Sequence, residues 1–88
     1  MKAIQITEVL LREYDLKRKM VIGGTGRPYT RYSIRDDFDI YCYMDLSGNC
    51  LFWGECIEGE DFFILKCDKV HKFQNIYKIL NGKELNKK

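Results

Sequence analysis

Residues 38–57 read FDIYCYMDLSGNCLFWGECI, and this stretch decides the fold. In its first half Phe38, Ile40, Cys42 and Met44 alternate with Asp39, Tyr41, Tyr43 and Asp45. In its second half Leu51, Trp53, Glu55 and Ile57 alternate with Cys50, Phe52, Gly54 and Cys56. A period of two is the mark of a strand, because successive side chains leave on opposite faces. Leu46-Ser47-Gly48-Asn49 lies between the runs and reads as a tight hairpin turn. If Asp45 faces Cys50, then Met44 faces Leu51, Cys42 faces Trp53 and Phe38 faces Ile57. That register predicts one continuous apolar face. Tyr43 then faces Phe52, and Tyr41 lies across from Gly54.

The alternation extends outward from the hairpin. Tyr29, Arg31, Ser33 and Arg35 alternate with Thr30, Tyr32 and Ile34, which predicts a strand ending at Asp36-Asp37. Glu58-Gly59-Glu60 reads as a second turn, and Asp61 to Cys67 as the last strand. Gly23-Gly24-Thr25-Gly26-Arg27-Pro28 is a break before the first strand. Residues 7–19 are expected to form a helix capped by Thr7, with Glu8 in its first turn and Lys17, Arg18 and Lys19 in its last. In residues 69–81, Val70, Phe73, Tyr77 and Leu80 follow helical spacing, with Asp68 as N-cap and Gly82 just past the end.

The expected architecture is α+β in two layers: a four-stranded antiparallel meander with an N-terminal and a C-terminal helix. Residues 1–88 form a single domain, of which 83–88 are a frayed tail. The helices are expected to cover Phe38, Ile40, Met44, Leu51, Trp53, Phe63 and Leu65. The other face keeps Tyr41, Tyr43, Phe52, Phe62 and Ile64, which is too apolar for ordinary surface and calls for a partner.

Charge is distributed in blocks. Residues 36–61 hold Asp36, Asp37, Asp39, Asp45, Glu55, Glu58, Glu60 and Asp61 and no base, while the formal net charge of the chain is +2. Such blocks create fields that select partners. The acids also suit turns, where they solubilise loops. Glu55 shares a face with Trp53 and Ile57, so it pairs with a cation or marks a rim.

Chemistry is sparse. The four cysteines, Cys42, Cys50, Cys56 and Cys67, include no C-x-x-C pair, which argues against zinc and for reduced, packed thiols. Asp36, Asp37 and Asp39 have the composition of a magnesium site but no second ligand cluster. Gly23 to Gly26 lacks the Lys-Ser/Thr ending of a phosphate loop. A single His71 and no nucleophile motif leave catalysis unsupported, so no cofactor and no catalytic residue are assigned. The N-terminus has no apolar secretory core, and no run reaches membrane-spanning length; a cytoplasmic location is expected.

The sequence therefore points to a small non-enzymatic interaction or regulatory protein that occupies a partner's surface, an inhibitor of the phage or mobile-element type being one form of it. The expected site is an acidic, aromatic sheet surface of Asp39, Tyr41, Tyr43, Asp45, Phe52, Glu58, Glu60 and Asp61, and the expected partner a protein with a basic surface. The first alternative is a nucleic-acid-binding module using Arg27, Tyr29, Arg31, Tyr32 and Arg35, since Arg with Tyr suits phosphate contact and base stacking. The second is a structural homodimer.

Overall fold

The computed structural model describes residues 3–24, 26–55 and 60–87. Two helices and five strands follow one another: α1 (Glu8–Glu13), β1 (Arg18–Ile22), β2 (Pro28–Arg35), β3 (Ile40–Met44), β4 (Cys50–Glu55), β5 (Asp61–Cys67) and α2 (Val70–Asn81). The strands form one antiparallel sheet in sequence order. The α+β class holds, with one strand more than expected.

The extra strand is taken from the expected helix. Thr7 does cap α1, its hydroxyl accepting from Leu10 N at 3.2 Å. The helix then ends at Tyr14, whose backbone is extended. Leu11, Tyr14 and Leu16 are all buried. A continuous helix would place Leu16 well off the Leu11–Tyr14 face, since five residues turn it about 500°. Extending the chain after Tyr14 buries all three and sends Lys17 to Ile22 along β2. Gly23 and Gly26 close that hairpin, Gly26 N donating to Gly23 O at 2.9 Å.

The central hairpin differs from the expected register by one residue. Asp45 N donates to Asn49 O at 2.9 Å, so the loop is the three residues Leu46, Ser47 and Gly48. Gly48 sits at φ 86°, the left-handed position such loops require. The Asp45 carboxylate accepts from Ser47 N at 2.9 Å and Asn49 N at 2.8 Å through one oxygen. Met44 consequently pairs with Cys50 and Cys42 with Phe52, while Tyr43 pairs with Leu51 and Tyr41 with Trp53. A one-residue slip moves every side chain of β4 to the other face. Phe52 and Cys50 therefore enter the core, and Leu51 and Trp53 leave it.

The helix-covered face carries Tyr32, Ile34, Cys42, Cys50, Phe52 and Cys67, packed with Ile6, Leu11, Tyr14, Leu16 and Phe73 from the covering layer. Phe73 of α2 bridges that layer, 5.6 Å from the Phe52 ring and 6.0 Å from Tyr14. Phe38 is not in a strand: residues 36–38 form a 3-10 turn, Asp39 follows at φ 53°, and Phe38 is exposed. Phe62 crosses Gly54, where a Cβ would lie 2.2 Å from the ring. Residues 83–87 are not a loose tail. Asp15 N donates to Asn86 O at 2.8 Å, and Leu85 packs on the core. Lys69, not Asp68, is the N-cap residue of α2, and Gly82 ends the helix at φ 71° as expected. Lys69 gives no side-chain cap; Val70 N donates instead to Ile4 O at 2.8 Å.

Cys42, Cys50 and Cys67 are free and buried. Cys50 lies opposite Cys67 on neighbouring strands. The Cys50 thiol is pushed up first by its neighbour Cys42 and then, against an opposing effect of Cys67, by burial. The Cys67 thiol is pushed up by Cys50 and by burial. Protonated, buried thiols are poor nucleophiles. Ellman's reagent is expected to leave all three unreacted in the folded chain and to reach them in denaturant. The register predicts that Phe52→Ala lowers stability by about 3–5 kcal/mol, and that Leu51→Ala costs less than half as much, both read from urea unfolding.

Candidate functional site

The face of the sheet away from the helices is assembled from every strand. Register places Lys19 opposite Arg31, Ser33 opposite Tyr41, Tyr41 opposite Trp53, Tyr43 opposite Leu51, Trp53 opposite Phe63, and Glu55 opposite Asp61. Paired residues share a face. Aromatic rings run diagonally across it. Tyr29 and Tyr43 lie 4.9 Å apart, Tyr43 and Tyr41 6.5 Å apart, and Trp53 meets Phe63 edge-on at 5.5 Å. Phe63 is half exposed.

Arg31 is the hub of this face. Its guanidinium lies 4.0 Å from the centre of the Tyr41 ring and 5.6 Å from that of Tyr29. Its Nε and Nη2 donate to the Tyr29 hydroxyl at 3.1 and 2.9 Å, and Nη2 reaches Asp61 Oδ2 at 3.4 Å. Tyr41 also donates its hydroxyl to Asp61. One carboxylate thus accepts from a guanidinium and a phenol, and the three side chains lock each other. Tyr41 is 8% exposed, and burial, followed by its bond to Asp61, raises its pKa. Burial also raises the phenols of Tyr43 and Tyr32. Among the described residues neither the buried Trp53 indole N–H nor the Tyr32 hydroxyl has a hydrogen-bond partner.

At one end of the face opens a cleft of about 340 Å³ lined by Lys17, Arg18, Lys19, Arg31, Ser33, Asp39, Ile40, Tyr41 and Glu55. Cations enter from β1 and its approach; the carboxylates Asp39 and Glu55 enter from the opposite side.

The structure brings together only part of the expected acidic surface. Tyr41, Tyr43 and Asp61 share the open face, and Asp39 and Glu55 reach its end. Asp45 is committed to its turn. Phe52 is in the core, fully buried, so its place in the site is corrected by the register. Glu60 is exposed beside β5. Glu58 lies outside the described residues. Among the described residues the acids do not form one negative sheet: Asp37 pairs with Arg35 at 2.8 Å and Asp61 with Arg31.

The alternative set separates as well. Tyr29 and Arg31 are in the open-face cluster, and Arg27 is exposed at the hairpin. Tyr32 is fully buried under the helices. Arg35 donates to the Leu80 carbonyl and to Asp37 and covers the Phe38 ring at 4.2 Å, so it holds α2 to the sheet. Sequence reasoning missed Leu51, Trp53, Phe63, Lys17 and Lys19. The faces of Leu51 and Trp53 follow from the loop that Asp45 closes, and that of Phe63 from the bulge between β4 and β5; the alternating pattern of the sequence marks neither.

Comparison with protein-family models, with curated proteins and with solved structures returns no match. Among the described residues no helix is long and apolar enough to cross a membrane.

A raised tyrosine pKa favours the neutral phenol in the folded state. Its stabilising effect is complete below the unfolded pKa of about 10 and is lost as pH climbs from there toward the folded value. Urea midpoints are therefore expected to fall above that pH, and Tyr41→Phe is expected to make the fall shallower, with Tyr32 and Tyr43 still contributing.

Proposed function

We propose that this chain is a non-enzymatic interaction module that occupies the surface of a protein partner through its open sheet face. The observation that carries the reading is a sheet covered by helices on one side only, with the rings of Tyr43, Trp53 and Phe63 and the aliphatic Leu51 on the other. Tyr, Trp, Phe and Arg are enriched in protein interfaces, and the rings lose little freedom when buried. Arg31, Asp61 and the tyrosines hold one another before any partner arrives. Such pre-organisation lowers the ordering cost of binding. The partner's matching surface would place apolar groups over Trp53 and Phe63 and a cation near Asp39 and Glu55. A regulatory or inhibitory role follows if that partner surface has its own ligand.

Charge favours protein over nucleic acid here. Phosphate binding needs several unspent cations. On this face Arg31 is engaged by Asp61, and the carboxylates Asp39 and Glu55 line the same cleft as Lys17 and Lys19, where they repel phosphate. The nucleic-acid reading is supported by one specific arrangement: cations of the cleft beside rings on an open sheet, a layout that single strands use for stacking.

Affinity capture with the wild-type chain, a Tyr43→Ala/Phe63→Ala double variant and a Lys72→Ala control tests the proposal. A protein retained by wild type and control but lost with the double variant is the expected outcome. Salt-dependent binding of a single-stranded oligonucleotide, abolished by the same double variant, would overturn it in favour of the alternative. A dimer in sedimentation that the double variant dissociates would make the occupant a second copy.

A further inference from the structure

The sheet has two free edges, and they differ. The outer strand β5 carries a bulge at Ile64: Phe52 pairs with Leu65 but the next residue, Trp53, pairs with Phe63. A bulge twists an edge away from further pairing. The other outer strand, β1, pairs with β2 in unbroken register from Arg18–Tyr32 to Ile22–Pro28. Ser33 N donates to Lys17 O at 2.8 Å, and Gly23 N donates to Arg27 O at 3.0 Å. Inward bonding therefore falls on odd residues of this strand. The N–H and C=O groups of Arg18, Met20 and Ile22 point outward, and no segment pairs with them among the described residues.

The side chains on this edge have two chemistries. Met20 and Ile22, on the helix side, are 71% and 73% exposed. Lys17 and Lys19 lie on the open-face side, and Arg18 sits beside Met20. Neither Arg18 nor Lys19 has a carboxylate partner among the described residues. A hollow of about 220 Å³ between Arg12, Arg18, Met20 and Thr30 adjoins the apolar side.

We infer that β1 is a strand-addition site for an extended acidic peptide of a partner protein. The peptide's main chain pairs with Arg18, Met20 and Ile22. Its carboxylates meet Lys19 on one face, and its apolar side chains cover Met20 and Ile22, beside Arg18, on the other. Edge addition takes affinity from main-chain bonds and selectivity from alternating side chains. Charge complementarity selects an acidic strand over a second copy of β1, whose own Lys17, Arg18 and Lys19 repel this edge. The site lies beside the open face and does not depend on partner docking there.

The probe is a capped heptapeptide alternating Asp and Val, titrated into the ¹⁵N-labelled chain. The expected result is chemical-shift change and slowed exchange at the Arg18, Met20 and Ile22 amides, with Lys19 and Val21 already protected. A Lys–Val peptide is expected to bind at least about tenfold more weakly, a difference of about 1.4 kcal/mol. Met20→Pro removes an outward N–H without taking a bond from the β1–β2 ladder, so it should stay folded and lose at least about tenfold in affinity. A peptide N-methylated at the pairing positions gives the same test on the wild-type chain. Tyr43→Ala is expected to leave peptide binding unchanged. Equal binding by the Lys–Val or N-methylated peptide, equal binding to folded Met20→Pro, or shifts confined to Tyr43, Trp53 and Phe63 would overturn the inference.

Discussion

The Asp45 carboxylate, by accepting two backbone amides across three loop residues, sets the register on which the two faces of the sheet depend. With the loop closed at Asn49, Phe52 and Cys50 face α2, and Leu51 and Trp53 face outward. Closing it one residue later would invert β4 against β3, putting Trp53 beneath the helices and Phe52 in the open. The core has been built for the first arrangement. Phe73 rests on Phe52, Tyr14 rests on Phe73, and both helices take their positions from that stack. A local choice of loop length thus propagates to the whole covering layer.

Arg31 does for the open face what Phe52 does for the core. It lies against two tyrosine rings and shares Asp61 with one of them, so strands β2, β3 and β5 are tied across the sheet by side chains as well as by backbone. Such a network is worth keeping only where fully partnered, since an unpaired charge among rings is costly. It also explains why Tyr41, on the uncovered side, is nearly as inaccessible as a core residue.

Much of this was legible from the residues. The period-two runs locate β2 to β5, Thr7 and Gly82 mark helix ends, and Tyr41 and Tyr43 lie on the face away from the helices as their alternation implies. Three features were not. Asp45 reads as one more surface acid, and nothing in its identity says that it accepts from Ser47 and Asn49; without that, the loop length is ambiguous by one residue and the face of Trp53 with it. Lys17 to Lys19 suit a helix C-terminus electrostatically, yet a fraction of a kcal/mol there cannot compete with burying Leu16. The acids between 36 and 61 look like one surface in sequence, but among the described residues turns and ion pairs disperse them. Linear charge reports local composition, and only the register turns it into a field.

The contacts between the two ends of the described chain bear on how it is made. Ile6 N bonds to Asp68 O, Val70 N to Ile4 O and Asp15 N to Asn86 O. On a ribosome the first helix emerges long before any of these acceptors or donors exists, so Ile6, Leu11 and Tyr14 wait uncovered until α2 and the segment after it have been synthesised. The meander can zip in order from neighbouring strands, but its lid closes only once α2 and residues 83–87 have emerged. The interval before that closure is when its apolar residues are most open to chaperones and proteases.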